Sequence, residues 1–229
     1  MMNKGYFITG TDTEIGKTAI TAALTWLDGQ RGQRAAAIKP LAAGQELING
    51  RWVNDDVLRL QAASNMNLTD ADVGPLQLRT PCAPHIAAKL EGVTIDRAAV
   101  LSAIHSTASK ADIAFVEGVG GFRVPLIDGW DTADLAVDLQ LPVILVVGLR
   151  LGCINHALLT AEAIRARGLT LAGFVANTVD VGMPHVADNL ASLNCGLAVP
   201  CLGHVPRLND PNPAAIAAHL TLPPKPSPP

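Results

Sequence analysis

The sequence predicts an α/β fold in which one doubly wound, mostly parallel sheet carries helices on both faces. Three observations lead to this prediction. Apolar runs of strand length alternate with longer segments that have helical patterns. The apolar runs are rich in Val, Ile, Leu and Ala, as is typical of strands covered on both faces. A glycine-rich turn joins the first apolar run to the first helical pattern, which gives the order strand, loop, helix.

Each element follows from its local pattern. The predicted strands are residues 6–8, 34–39, 112–117, 142–148, 171–177 and 199–205. Proline at position 40 ends the second strand, because its ring removes a backbone donor. Helical patterns occupy residues 19–27, 55–64, 84–91, 96–109, 155–167 and 184–193.

The chain is expected to form a single domain over residues 1–222, since neither a repeat nor a linker interrupts the alternation. Residues 223–229 contain five prolines in seven positions and cannot build a helix or a central strand. We expect this tail to be disordered, with a docking peptide as the alternative.

The turn after the first strand has the residues of a phosphate-binding loop. Residues 10–18 read GTDTEIGKT, with five residues, rather than the usual four, between Gly10 and Gly16. Backbone N–H groups of such a loop and the following helix N-terminus attract phosphate. Lys17 can reach the outer phosphates and the Thr18 hydroxyl can bind Mg²⁺. An ordinary glycine turn is the alternative, but Gly-Lys-Thr at a helix start favours a P-loop NTPase-like domain.

Composition excludes several function classes. The chain is 49% hydrophobic and 16% charged, with a net charge of -3, so it has no basic footprint for nucleic acid or a membrane surface. The first apolar segment is a short strand and does not have the pattern of a signal peptide. The cysteines lie far apart, which predicts reduced thiols in a cytoplasmic protein: Cys82, Cys153, Cys195 and Cys201.

Polar residues stand where the predicted strands end, which is the edge that binds ligands in open α/β sheets. Glu117 lies where a carboxylate near Mg²⁺ is expected, although it can also be a capping or solvated acid. Lys39 can neutralise a transferring phosphoryl group or simply extend to the surface. Asn54 can be an N-cap with Asp55 and Asp56 as helix-dipole partners, or one acid can bind Mg²⁺.

Taken together, seven segments of the chain resemble the dethiobiotin synthetase family along nearly the whole length. They are GTDTEIGKT at 10–18, KP at 39–40, NDD at 54–56, PHI at 84–86, EGVGG at 117–121, residues 142–148 and GCINH at 152–156. The lengthened phosphate loop is the form that this family uses.

The resemblance implies ATP- and Mg²⁺-dependent carboxylation and ring closure of 7,8-diaminononanoate with CO₂, in biotin biosynthesis. It implies Lys39, Lys17 and Thr13 as catalytic residues, and Thr18, Asp56 and Glu117 as Mg²⁺ ligands. The implied nucleotide-binding residues are Glu14, Ile15, Gly16, Lys17, Thr18, Ala19, Asp56, Glu117, Gly118, Val119, Gly120, Asn177, Thr178, Pro206, Arg207 and Leu208. The implied substrate-binding residues are Thr13, Lys39, Ala43, Pro81, Gly120, Gly152, Cys153, Ile154 and Asn155.

The resemblance also implies a homodimer with active sites at its interface, in which residues 152–155 of one subunit receive the substrate carboxylate. From sequence alone, Asn155 as a simple N-cap is an equally natural interpretation. The chain departs from the family pattern at a few positions. Ala43 replaces a serine, Thr178 follows Asn177 where an aspartate is common, and Asn189 replaces an aromatic residue. A ribose-binding acid aligns with Pro213, close to Asp210.

Two other functions fit the phosphate loop less well. A cobyrinate-type amide synthase carries a glutamine-hydrolysing domain, for which 229 residues leave no room. A regulatory NTPase switch is the alternative from another class. Residues 177–180 resemble its Asn-Lys-x-Asp guanine motif, but Thr178 replaces the lysine. A partition-type ATPase would carry a signature lysine where Asp12 stands.

Overall fold

The computed structural model describes residues 4–223. In chain order the elements are β1 (Gly5–Gly10), α1 (Lys17–Gln30), β2 (Ala35–Ile38), β3 (Leu41–Ala43), β4 (Glu46–Ile48), β5 (Arg51–Val53), α2 (Asp55–Ala63), α3 (Asp70–Val73), β6 (Leu76–Leu78), α4 (Pro84–Glu91), α5 (Arg97–Ser109), β7 (Ile113–Glu117), β8 (Pro125–Ile127), β9 (Trp130–Asp131), α6 (Thr132–Leu139), β10 (Val143–Leu149), α7 (Cys153–Ala166), β11 (Leu171–Thr178), α8 (Val186–Leu197), β12 (Cys201–Val205) and α9 (Pro213–Ala217).

The main sheet has six strands in the order β12-β11-β10-β1-β7-β2, and every neighbouring pair is parallel. The chain winds from β1 towards β2 on one side and later towards β12 on the other. The strand order therefore reverses beside β1, where ligands bind in such sheets. The predicted doubly wound α/β fold is confirmed.

The sheet is covered on both faces because adjacent strand residues point to opposite sides. In β1, Phe7 belongs to a core cluster with residues of α6 and α7, whereas Ile8 belongs to a second cluster with residues of α1 and α9. Both side chains are completely buried. Among residues 4–223, no helix combines the length and apolar character needed to cross a membrane.

Several elements differ from the sequence predictions. The helix predicted at 184–193 begins at Val186, since His185 has a φ of 56°, and it continues to Leu197. Helix α6 is not predicted by sequence, although Asp131 and Asp134 form a capping box at its start. The short pairs β3–β6, β4–β5 and β8–β9 are also missing from the prediction. Pro223 is buried, and the rest of the proposed tail lies outside the described residues.

Candidate active site

Hydrogen bonds attach the phosphate loop to neighbouring strands, while several of its backbone N–H groups have no acceptor within the described chain. Ile15 is buried, and its carbonyl accepts a 2.8 Å hydrogen bond from the Asn177 side-chain amide. The backbone N–H of Thr11 donates to the Val146 carbonyl at 3.0 Å. Within the described chain, the backbone N–H groups of residues 14–19 have no hydrogen-bond acceptor. A set of N–H groups without acceptors at a helix start is suited to phosphate.

Gly16 is expected to tolerate no side chain. Its φ is 87°, and an added Cβ would lie 2.4 Å from the Asn177 side-chain nitrogen, which could move away only by giving up its hydrogen bond to the Ile15 carbonyl. We expect Gly16→Ala to lower the free energy of unfolding by more than the roughly 1–2 kcal/mol of the backbone strain. Gly32→Ala is the matched control, because Gly32 has a φ of 78° and open space around its Cβ position. Equal losses for the two variants in urea denaturation would contradict the predicted clash.

Lys17 stands at the loop with its ammonium turned inward. Its Nζ donates to the Asp12 carbonyl at 2.6 Å. Burial, followed by repulsion from Lys39, lowers the pKa of Lys17 to about 8. The Asp12 side chain forms an ion pair with Arg150, which follows β10. Thr13 and Glu14, next along the loop, are exposed.

Four predicted site residues meet in one polar cluster beside the loop. The Thr18 hydroxyl lies 2.8 Å from Asp56 Oδ1 and 2.9 Å from Glu117 Oε1, so it can donate to either. Lys39 Nζ lies 2.5 Å from Glu117 Oε1 and 3.1 Å from Asp56 Oδ2. Lys39 is 4% exposed and Glu117 is 1% exposed, so this is a buried ion pair and not a surface contact.

The strand register explains why these side chains meet. Ile38 pairs with Val116 across β2 and β7, so the next residues, Lys39 and Glu117, leave the sheet side by side. Asp56 comes from the first turn of α2, which Asn54 caps by accepting the Val57 N–H at 3.2 Å. The N-cap interpretation of Asn54 is therefore confirmed, and it is compatible with Asp56 pointing into the cluster.

Charge in the cluster suits a divalent cation. Glu117 Oε2 is buried and has no hydrogen-bond partner within the described chain. Burial lowers the pKa of Lys39, but attraction to Glu117 and Asp56 outweighs it and raises that pKa overall. Burial raises the pKa of Asp56, yet Lys39 and the Thr18 hydroxyl lower it overall. One unpaired carboxylate oxygen beside a second carboxylate and a hydroxyl fits Mg²⁺, which prefers oxygen ligands.

A cavity of about 290 Å³ opens on the other side of the loop, between α1 and the ends of β11 and β12. Eight residues of the predicted nucleotide set line it: Glu14, Gly16, Ala19, Asn177, Thr178, Pro206, Arg207 and Leu208. The prediction missed Ile20, Val179, Val205, Asn209, Pro211 and Ile216. Asp210 and Pro213, considered for the ribose, are not among the lining residues. Of the missed residues, four adjoin predicted ones in the sequence, which is the signal that could have found them: Ile20, Val179, Val205 and Asn209.

The structure also places the remaining predicted residues. Gly118 donates its N–H to the Ile8 carbonyl at 2.9 Å, so the segment with Val119 and Gly120 begins beside β1. Ala43 and Pro81 are brought near each other through Gly44, where an added Cβ would lie 3.2 Å from the Pro81 side chain. The Asn54 side-chain amide lies 3.2 Å from the Ala43 carbonyl, which links this region to the start of α2.

Residues 152–155 lie at the start of α7. Gly152 is the N-cap, with a φ of 92°, and the helix begins at Cys153. The interpretation of Asn155 as a simple N-cap is therefore wrong: Asn155 lies in the first turn and is exposed. Cys153 is buried and Ile154 is half-buried. Asn189 lies beside this segment, with its Oδ1 4.0 Å from Cys153 Sγ.

Known proteins resemble this chain at the level of sequence. A family model described as an AAA domain matches residues 4–215. The ATP-dependent dethiobiotin synthetase BioD of Aromatoleum aromaticum (strain DSM 19018 / LMG 30748 / EbN1) is 53% identical over 220 residues, or 96% of this chain and 98% of the relative. The protein of the same name from Janthinobacterium sp. (strain Marseille) is 56% identical over 218 residues, or 93% of this chain and 92% of the relative.

Solved structures agree in fold. The ParA family ATPase from Chlorobium tepidum TLS has a TM-score of 0.54 at 14% identity, covering 95% of this chain and 90% of that one. The cell division ATPase MinD from Pyrococcus furiosus has a TM-score of 0.54 at 19% identity, covering 94% and 90%. At these identities the likeness shows the fold alone, whereas the sequence relatives show the family. The chain belongs to the ATP-dependent dethiobiotin synthetase family and is an enzyme of that ATP-dependent class.

Proposed function

We propose that this enzyme converts 7,8-diaminononanoate, CO₂ and ATP to dethiobiotin, ADP and phosphate, as a cytoplasmic step of biotin biosynthesis. The observation that carries the proposal is the buried cluster of Lys39, Glu117 and Asp56 directly beside the phosphate loop. A buried lysine next to phosphate-binding amides suits the transfer of a phosphoryl group to an anionic acceptor. The family membership supplies the substrates.

The proposed reaction brings two anions together, the carbamate and the phosphates of ATP, so positive charge is needed to screen their repulsion. One substrate amine adds to CO₂ and loses a proton, which forms a carbamate. A carbamate oxygen then takes the γ-phosphoryl group of ATP, with loss of ADP. The second amine attacks the carbamate carbon, and phosphate leaves as the cyclic urea closes. Lys17 and Lys39 screen the repulsion between carbamate and phosphate, and Thr13 positions the carbamate.

Thr18, Asp56 and Glu117 would hold Mg²⁺, which supplies positive charge to the phosphate oxygens when it is bound. Open amides of residues 14–19 would hold the phosphates, with the cavity beyond them for ribose and base. The Asn177 amide nitrogen is already bonded to the Ile15 carbonyl, and its oxygen has no partner within the described chain. That free acceptor matches the amino group of adenine.

The substrate chain would lie along residues from separate parts of the fold. Ala43, Pro81 and Gly120 would contact it near Lys39. Its carboxylate would be received at the start of α7 of the other subunit of the dimer proposed below, by residues Gly152, Cys153, Ile154 and Asn155. There the N–H groups of Ile154 and Asn155 have no acceptor within the described chain and the helix dipole favours an anion. Asn189 lies beside Cys153, so in this chain an amide would stand near the carboxylate where the family has an aromatic residue.

Phosphate release that depends on the diamine tests this function. The purified chain with ATP, Mg²⁺ and bicarbonate should release phosphate slowly, and addition of 7,8-diaminononanoate should raise the rate and yield dethiobiotin. Phosphate release of the same rate with and without the diamine would instead support a regulatory NTPase.

We expect the working enzyme to be a homodimer in which residues 152–155 complete the partner subunit's active site. At protein concentrations below the dimer dissociation constant, the KM for the diamine should rise while the affinity for ADP stays constant. The reason is that the phosphate loop and Lys39 belong to one subunit, whereas the carboxylate site comes from the other. Sedimentation velocity and kinetics over one dilution series measure both quantities. A monomer with full diamine turnover would end this proposal.

A further inference from the structure

A side-chain hydrogen bond joins two walls of the cavity. Thr178 Oγ1 and His204 Nε2 lie 2.9 Å apart. Thr178 ends β11 and lines the cavity together with Val179. His204 is in β12, one residue before Val205, where the opposite wall begins. The bond therefore connects the last residue of β11 to the second-last residue of β12, the two strands from which the cavity walls continue.

The backbone pairing of these strands stops short of this point. The last paired residues of β11 and β12 are Asn177 and Val205, so Thr178 lies one position beyond the ladder. The register also shifts between Phe174 and Val175. Among the strands of residues 4–223, β12 is at the edge of the main sheet and has β11 as its one neighbour there. On β12 the bond holds His204, which pairs with Ala176 one position before the last pair, so it adds a side-chain link between the strands at the point where their backbone pairs end.

On the side away from β11, strand β12 contacts residues near the end of the described chain. Gly203 forms an isolated bridge with Leu220, and the Thr221 N–H donates to the Leu202 carbonyl at 2.7 Å. These contacts fix the middle of β12. The orientation of segment 206–209 therefore depends on the contacts at the end of the strand, which are the Asn177–Val205 pair and the Thr178–His204 bond. Pro206, Arg207 and Leu208 belong to that segment and line the cavity.

The hydrogen bond between His204 and Thr178 does not require a change of protonation near pH 7. Burial, and then the charge of nearby His219, lowers the pKa of His204 below its usual value. Its imidazole is therefore mainly neutral near pH 7, and a neutral ring nitrogen can either donate to a hydroxyl or accept from it.

We infer that His204 and Thr178 form a clamp that positions residues 206–208 against the nucleoside part of the nucleotide. His204 acts as a positioning residue, through Thr178, which itself lines the cavity, and not through the phosphates. This inference rests on the proposed nucleotide role of the cavity. In this arrangement the phosphate loop holds the phosphates, and the clamp between Thr178 and His204 sets the affinity for ribose and base.

Titration calorimetry with ATP and with tripolyphosphate, which lacks a nucleoside, tests the clamp. Thr178→Val and His204→Phe should each weaken ATP binding roughly 3- to 10-fold, the range of a single net hydrogen bond, with tripolyphosphate affinity unchanged. The double variant should bind ATP no more weakly than the weaker single variant, because one shared bond is lost. Thr178→Ser, which keeps the hydroxyl, should retain wild-type affinity.

Thr221→Val is the matched control. The Thr221 hydroxyl donates to the carbonyl of Leu202, a residue of β12 away from the cavity, at 3.1 Å. This variant should leave ATP affinity unchanged. Unchanged ATP affinity in both clamp variants, additive losses, or equal losses for tripolyphosphate would overturn the clamp and leave the proposed function standing. A wild-type chain that binds neither ligand would overturn both.

Discussion

Replacing Lys39 with Met is expected to lower turnover of the diamine by roughly 100- to 1000-fold, while ADP binding changes little. The ammonium is buried between Glu117 and Asp56, where charge acts with little screening by water. Methionine keeps the apolar stem and removes the charge. The free energy of unfolding should also fall by about 3–5 kcal/mol, because Glu117 is left as a buried charge without its close partner.

The control for this variant is Lys110→Met. Lys110 also pairs with a carboxylate, Asp72, but on the exposed surface, so its loss should change neither turnover nor ADP affinity. Lys17→Ala provides the contrast, since it removes the point charge of the phosphate loop and should weaken ADP binding strongly. Kinetics and calorimetry below the melting transition of each variant measure these effects. Near-wild-type turnover of Lys39→Met would refute the proposed role of Lys39.

The second large effect is expected for Glu117→Gln, which should raise the Mg²⁺ concentration needed for half-maximal activity at least tenfold. The substitution keeps the size of the side chain and removes the anionic oxygens that Mg²⁺ prefers. Asp56→Asn should act in the same direction, because Asp56 contacts the same hydroxyl and the same lysine.

Asp55→Asn is the matched control for these carboxylates. Asp55 is the neighbour of Asp56 on α2, but it is exposed and paired with Arg59. Its Mg²⁺ titration should match that of the wild type. If Glu117→Gln and Asp56→Asn also titrate like the wild type, the wrong carboxylates have been assigned to the metal.

Much of the site follows from the sequence because strand ends are local features. Lys39 and Glu117 each follow an apolar run, and parallel strands bring their carboxyl ends to one edge. Their contact therefore needs only the sheet order and register to be correct. From sequence, Asp56 can be either a dipole partner or a ligand, because a helix start favours acids for both reasons. Only the packing of α2 against the sheet decides that it reaches Thr18 and Lys39.

Other features depend on distant parts of the chain. The cavity wall includes Pro211 and Ile216, which no local pattern links to the phosphate loop. The alternative interpretation of Asn155 as an N-cap is wrong, because Gly152 adopts the left-handed conformation that begins α7 earlier. The clamp between Thr178 and His204 joins positions 26 residues apart and requires adjacent placement of β11 and β12. Sequence periodicity alone does not supply that placement.

The most direct test of the proposed reaction follows the oxygen atoms of CO₂. If the carbamate accepts the phosphoryl group, a carbamate oxygen remains on the phosphate when the ring closes. With freshly dissolved C¹⁸O₂, unlabelled water, ATP, Mg²⁺ and the diamine, the released phosphate should carry a single ¹⁸O, as read by mass spectrometry. Lys39→Met should reduce labelled phosphate and dethiobiotin together. Released phosphate without ¹⁸O, in which the fourth oxygen comes from the solvent, would contradict the proposed phosphoryl transfer to a carbamate.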